Sequence, residues 1–386
     1  MHSFAIQIIL SFCEGNYLFV AINREWKDMY ILLFKNTRTR IGSCSPQQIE
    51  YAIDKTRYTL SHRTMNSAAK LGNLDVLKYF SNETKYKLYR FASEYAARGG
   101  HLEVLKWLRA NGCSWNADIC AYAALKGHFE ILKWARANGY PWNEKTCSNA
   151  AGEGYFVILK WARENGCPWN TYTCANAARG NHFKLLKWAR ENGCPWNSDT
   201  CKYIAMGGHF DILKWAHANG CLWDSWTCAG AARGGHFELL KWMRENGCPW
   251  NELTCAMAAI EGHFEILKWA RKNGCPWDEW TCAYAAEGGY FEILKWAREN
   301  GCPWNTFTCS NAASRGYFDI LKWAHKEGCP WDEWTCSNAA GEGRLDILKW
   351  ARENGCPWDK ITCINAKIFR HPEILKWAHE NGCPQC

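Results

Sequence analysis

Thr227 to Trp250 reads TCAGAARGGHFELLKWMRENGCPW, and its local signals divide it into two helices and a loop. Thr227 can cap a short first helix whose Cys228, Ala231 and Ala232 form a small-residue face, and Gly234 and Gly235 end it. A second helix begins near Phe237. Its Phe237, Leu239, Leu240, Trp242 and Met243 fall on one side at helical spacing, while Lys241 and Glu245 stand four apart on the opposite, solvated face. Gly247 stops that helix. Pro249 cannot continue it and biases Cys248 toward an extended conformation.

The same stretch recurs along the chain. A Trp following Leu-Lys appears at Trp107 and then every 27 residues to Trp377, eleven times in all. A second Trp, mostly preceded by Pro, keeps the same period from Trp115 to Trp358. Tyr79 in DVLKYF marks a diverged further unit, so about twelve units are expected. A hairpin of 27 residues cannot bury its apolar face alone, and its stability must come from stacking on its neighbours. The Trp ladders are expected to supply that core. Each Trp would bury about 150 to 250 Å², an upper-bound gain of about 4 to 6 kcal/mol.

Composition agrees with an array. The chain has 386 residues, 48% of them apolar, and 25 Trp and 23 Cys that mostly follow the period. The formal net charge of +8 is spread through the units without a basic block, which argues against nucleic acid. FAIQIIL near the amino terminus has neither a positive flank nor a small-residue cleavage site, so no signal peptide is read. No apolar run reaches about 18 residues, so no membrane span is expected. A cytoplasmic, or nuclear, protein is expected.

Ala231 to Asn251, AARGGHFELLKWMRENGCPWN, resembles the ankyrin repeat, whose consensus carries AA, two variable residues, GH, an apolar helix and NGADVN. The resemblance covers roughly residues 63 to 386. The short WARENGCPW units are similar to those of expanded ankyrin families in unicellular algae and giant DNA viruses. Two departures matter. The family's TPLH start is replaced by TC and two variable residues, and the unit is six residues shorter than the usual 33. The missing residues fall between Asn251 and Thr254, where the family has a projecting β-hairpin and only a tight turn is expected here. The resemblance therefore implies an all-α, ankyrin-type α-solenoid of about twelve helix-turn-helix repeats with shortened hairpin loops. Arg370 and Pro372 in the last unit replace the usual Gly and Phe, as a capping unit would. Asn181 stands where a left-handed Gly is usual, a conformation that Asn tolerates.

Residues 1–45 lack the period. IQIILSFCEGNYLFVAINREWKDMYILLF, from Ile6 to Phe34, resembles the later part of an F-box, although the opening Leu-Pro of that family is absent. The resemblance implies binding of the adaptor Skp1 through Leu10 and Phe19, and an alternative role in recruiting partners to a ubiquitin ligase. The plain reading is a hydrophobic cap on the first repeat, with a connecting helix over residues 46–62.

Regular Cys and His spacing, as in Cys221, Cys228 and His236, invites a metal reading. The repeated pattern itself contains no CxxC pair, however. Tyr140 replaces one loop Cys, and Tyr155, Tyr290, Tyr317 and Arg344 replace the His, swaps that a tetrahedral zinc site would not survive. Equivalent Cys in neighbouring units should lie about 8 to 10 Å apart, beyond the roughly 7 Å reach of a disulfide. The Cys are read as small buried residues, reduced as in cytosol or nucleus. The His are read as packing or bonding locally, and no nucleophile elbow or phosphate loop is present. No cofactor, no metal and no enzymatic activity are expected.

Binding leaves positions that vary while the frame holds still. The residue before the repeated Thr is Lys145, Tyr172, Asp199, Trp226, Leu253, Trp280, Phe307, Trp334 and Ile361 in turn. On the ankyrin fold that position lies near the concave side where partners bind, and an exposed aromatic run there would be a hot-spot surface. The competing reading tucks these side chains against one another. Lys202, Tyr203 and Met257 in the first helices would extend the same face. The expected function is a protein–protein interaction scaffold, with Tyr172, Trp226, Leu253, Trp280, Phe307, Trp334 and Ile361 as the partner-binding row.

Overall fold

The computed structural model describes residues 62–83 and 90–384. The F-box-like segment at 1–45, its implied Skp1 contact and nearly all of the connecting helix at 46–62 lie outside the described residues. Those residues form 24 helices in twelve consecutive pairs, with no strand among them. The chain divides into two compact units between Pro195 and Trp196. The first contains five described pairs, from His62–Leu71 with Leu74–Glu83 to Thr171–Arg179 with Phe183–Glu191. The second contains seven, from Ser198–Met206 with Phe210–Ala218 to Lys360–Ile368 with Pro372–Glu380. Within each unit successive first helices pack side by side, and each also packs on the second helix of its own pair. This is an all-α solenoid built of helix pairs in series.

The repeat at Ser225–Arg233 and Phe237–Glu245 shows why the sequence folds so. Asp224, rather than Thr227, caps the first helix: its carboxylate accepts from the Thr227 amide at 3.3 Å, and the Thr227 hydroxyl accepts from the Asp224 amide at 3.2 Å. Thr227 is therefore the third helical residue of a capping box. Thr227, Cys228, Ala229, Gly230, Ala231 and Ala232 are all buried. A helix apolar around most of its circumference belongs between neighbours, and residues this small let those neighbours approach closely. In the next repeat Asn251 occupies the cap position and Glu252–Ile260 is helical. The stretch from Asn251 to Thr254 is thus the first turn of the helix itself, with no separate turn inserted.

The second helix buries Leu239, Leu240 and Met243. Phe237 and Trp242 are only half-buried, which corrects the expectation that the Trp ladders form the core. The core is made of Leu, Ile, Ala and Cys. The Trp residues lie beside it as an edge-to-face series in which a loop Trp meets the second-helix Trp of the following repeat. Trp223 lies 5.7 Å from Trp242 at 73°, and Trp250 lies 5.6 Å from Trp269 at 71°, the arrangement favoured by ring quadrupoles. The Arg244 guanidinium covers Trp250 at 4.1 Å and donates to the Cys248 carbonyl. Lys241 pairs with Glu238 at 2.8 Å, one turn back, instead of with Glu245. That choice also places its ammonium 4.1 Å from the Phe237 ring.

Two contacts stitch one repeat to the next. Loop Cys248 donates its thiol proton to the carbonyl of Asp224 in the preceding loop, at 3.6 Å. His236 does not bond locally; its Nε2 lies 3.1 Å from the carbonyl of Met206, at the end of the preceding first helix. The paired glycines make room for this. A Cβ on Gly234 would sit 2.3 Å from the Met206 oxygen, and one on Gly235, whose φ is +75°, would sit 2.6 Å from the His263 ring of the next repeat. Tyr290, Tyr317 and Arg344 fill the equivalent seats over Gly262, Gly289 and Gly316. Asn181 and Arg370 adopt φ of 61° and 64° where Gly is usual, and Pro372 opens the last described helix.

Loss of the His236 bond has a definable cost. His236→Ala is expected to lower unfolding free energy by about 0.5 to 1.5 kcal/mol, the net worth of one hydrogen bond. His236→Tyr should be near neutral, because Tyr already holds this seat in two nearby repeats. Urea denaturation of both variants separates the outcomes, and equal losses would mean that His236 is needed for something other than seating.

Candidate protein-docking surface

The row residue is the second residue of each first helix. With about 100° between successive helical residues, burying the Thr and Cys that follow turns this residue outward. The backbone beneath it is held by the cap: the amides of Tyr172, Trp280, Phe307, Trp334 and Ile361 donate to Asn170, Asp278, Asn305, Asp332 and Asp359 at 2.9 to 3.1 Å. A side chain that varies thus stands on a backbone that does not.

Exposure along the row is uneven. Tyr172, in the first unit, is 61% exposed; in the second, Trp226, Phe307 and Trp334 are 51%, 43% and 47% exposed. Leu253, Trp280 and Ile361 are half-buried. Trp280 stacks on Phe307 with centroids 5.0 Å apart and planes at 25°, and lies 5.5 Å from Tyr284. The row is therefore mixed: Trp280 is tucked against Phe307, whereas Trp226 and Trp334 present large aromatic faces to solvent. The polar members are occupied. Lys145 bridges to Asp118 of the preceding repeat at 3.1 Å, a bond that holds its ammonium pKa above the usual value, and Asp199 pairs with Lys202 at 2.5 Å.

The neighbouring first-helix positions divide between surface and frame. Lys202 reaches over the Tyr203 ring at 4.7 Å, and Met257 is half-buried. Where Asn stands instead, it links repeats: Asn311 donates to the Ala283 carbonyl at 3.2 Å, and Asn365 to that of Ser337 at 3.2 Å. Sequence reading had no signal for this, because the bond joins residues 28 apart. It also missed two shallow clefts beside the Trp ladder. One, of about 350 Å³, is lined by Lys241, Arg244, Glu245, Trp250, Trp269 and Asn273; its counterpart around Trp358 and Trp377 measures about 430 Å³. Their polar groups are engaged: Arg244 as described above, and Asn273 with the Trp269 carbonyl at 2.8 Å.

All 20 described cysteines are buried and free of disulfides. Among the described residues no group of three His, Cys, Asp or Glu could hold a metal ion, and no helix is long and apolar enough to cross a membrane. Burial pushes the Cys120 thiol from 9.0 up to about 12. The folded chain thus keeps a proton that the unfolded chain releases above about pH 9. The associated stability is complete below that pH and is lost as pH rises through 12. We expect the urea midpoint to fall between pH 8 and 10.5, and to fall less in a Cys120→Ala variant; an identical decline in both would remove Cys120 from the cause.

No family model matches the chain, and no curated protein matches it. Among solved structures, the pentatricopeptide repeat protein PPR10, crystallised with an 18-nucleotide RNA element, aligns over 97% of this chain and 67% of its own, at 13% identity and a TM-score of 0.41. The ankyrin repeat domain of human ASB11 aligns over 41% of this chain and 84% of its own, at 16% identity and a TM-score of 0.33. Both are helical-repeat proteins of low overall superposition, so the solenoid assignment rests on the helix pairs of this chain.

Proposed function

We propose that this chain is a non-catalytic scaffold of short ankyrin-type repeats that binds a protein partner along the variable row of its first helices. The observation that carries the reading is the contrast at one position. Trp226, Phe307 and Trp334 stand exposed, while the Thr and Cys that follow each of them are fully buried. Exposed Trp on a fixed backbone is the composition of interface hot spots. The ankyrin-type reading draws on the AA, GH and NG positions together with a first helix of small buried residues. Protein is favoured over nucleic acid because the row is aromatic and its flanks carry carboxylates.

Affinity capture followed by mass spectrometry, with wild-type bait beside a Trp226→Ala, Trp334→Ala double variant, tests this. Truncating two exposed hot-spot residues should weaken a partner by about 2 to 4 kcal/mol, enough to remove it from the captured set. An unchanged set would exclude the row. Circular dichroism of the variant, expected to match wild type because both side chains are half in solvent, separates lost binding from lost folding.

A further inference from the structure

We propose that the row from Trp226 to Trp334 takes an extended, cationic peptide segment, with a Lys or Arg at about every third residue meeting successive repeats; this rests on the docking role just proposed. The starts of the first helices are acidic. In the second unit the cap and first two helical positions carry Asp224, Glu252, Asp278, Glu279, Asp332 and Glu333 between Trp226 and Trp334, and no Lys or Arg. The cap carboxylates are engaged with backbone amides. Glu252, Glu279 and Glu333 are not caps, and no ion pair among the described residues neutralises them. Carboxylates also crowd across repeats: Asp278, despite its helix-start position, has its pKa raised, first by burial and then against Glu279 and Glu252.

Aromatic faces and unneutralised carboxylates side by side are what a guanidinium or ammonium group recognises: the ring face attracts it and the carboxylate pairs with it. The row offers two such platforms, at the stacked Trp280 and Phe307 with Glu279 and at Trp334 with Glu333, while Trp226 is followed one repeat on by Glu252. An acidic or phosphorylated segment would meet repulsion at every one. Spacing gives the register. Packed helices lie about 8 to 10 Å apart, and an extended chain advances about 3.1 to 3.4 Å per residue, so one side chain in three reaches each repeat. The caps that fix the row's backbone keep these platforms in place before binding, which limits the ordering cost.

The test uses the full chain and three labelled peptides of about 18 residues: Arg-Ala-Pro, Gln-Ala-Pro and Glu-Ala-Pro, each repeated six times. Fluorescence anisotropy at physiological salt is expected to show the arginine peptide binding about tenfold more tightly than the glutamine one, since each exposed pair contributes a severalfold gain, with the glutamate peptide weakest. A Glu252→Gln, Glu279→Gln, Glu333→Gln variant should lose that advantage while keeping its helical circular dichroism. Glu333→Gln alone, at an exposed position, should lose part of it if the triple variant misfolds. Equal binding of the arginine and glutamine peptides overturns the proposal; if Trp226→Ala, Trp334→Ala weakens both, the docking role survives that failure. Arginine-peptide binding that is indifferent to the glutamate substitutions, or no binding by any peptide, also overturns it.

Discussion

Leu240→Ala is expected to lower unfolding free energy by about 2 to 5 kcal/mol, the range for truncating a fully enclosed leucine. Leu240 is 0% exposed and lies on a helix held between its own first helix and its neighbours, so the surroundings cannot collapse to fill the vacancy. Trp242→Ala, two residues along, removes a larger side chain. It should nevertheless cost less, about 2 kcal/mol, because the ring is half in solvent and only part of the usual burial gain is lost. The order of the two effects is the informative quantity. Urea denaturation followed by circular dichroism reads it, and a Trp242→Ala loss exceeding that of Leu240→Ala would return the Trp ladder to the centre of the core. Repeat arrays can unfold in segments, so the comparison should use the slope as well as the midpoint.

Gly234→Ala is the second large expected effect. The φ of Gly234 is −77°, a value alanine adopts without strain, so the cost is steric. The new methyl would lie 2.3 Å from the Met206 carbonyl oxygen and 2.6 Å from the His236 ring. The carbonyl belongs to the backbone of the preceding helix and cannot rotate aside. Relief requires the two repeats to separate, at about 1 to 3 kcal/mol for overpacking. Gly247→Ala provides the contrast. Its φ is +82° and its Cβ would meet nothing within 4 Å, so it should lose only the left-handed penalty of about 1 to 2 kcal/mol. In Gly234→Ala, unlike Gly247→Ala, the penalty should shrink when His236 is also replaced by Ala, since half of the clash is with that ring.

The repeat, its two helices and its glycine stops were legible in the sequence because each is a local signal with a fixed offset. The cap was misplaced by three residues. Thr and Asp both stop helices well, and only the inward direction of the Thr227 side chain shows that Asp224 takes that role. The Trp ladder was misjudged because periodicity reveals that a residue recurs on one face, not how deeply that face is covered. In a helix pair the innermost layer belongs to the residues that face both neighbours, here Leu239, Leu240 and Met243. The seating of His236 on Met206 and the links from Asn311 and Asn365 were invisible because they join residues 28 to 30 apart, about one repeat length, where a local reading does not look. The row before the Thr was found by its variability. The uneven exposure along it, with Trp280 folded onto Phe307, depends on which rings happen to be neighbours.

The seat formed by the paired glycines also bears on how such a chain can change length. Each repeat offers a seat to the ring that follows and places its own ring in the seat before, and His, Tyr and Arg all fit. Excising any 27 residues in register within the second unit would rejoin a seat to an acceptable ring, whichever repeats were brought together. A gene encoding this chain can therefore lose or duplicate whole repeats by unequal exchange without a compensating substitution at the new junction, so the length of the variable row can change while the joint stays the same.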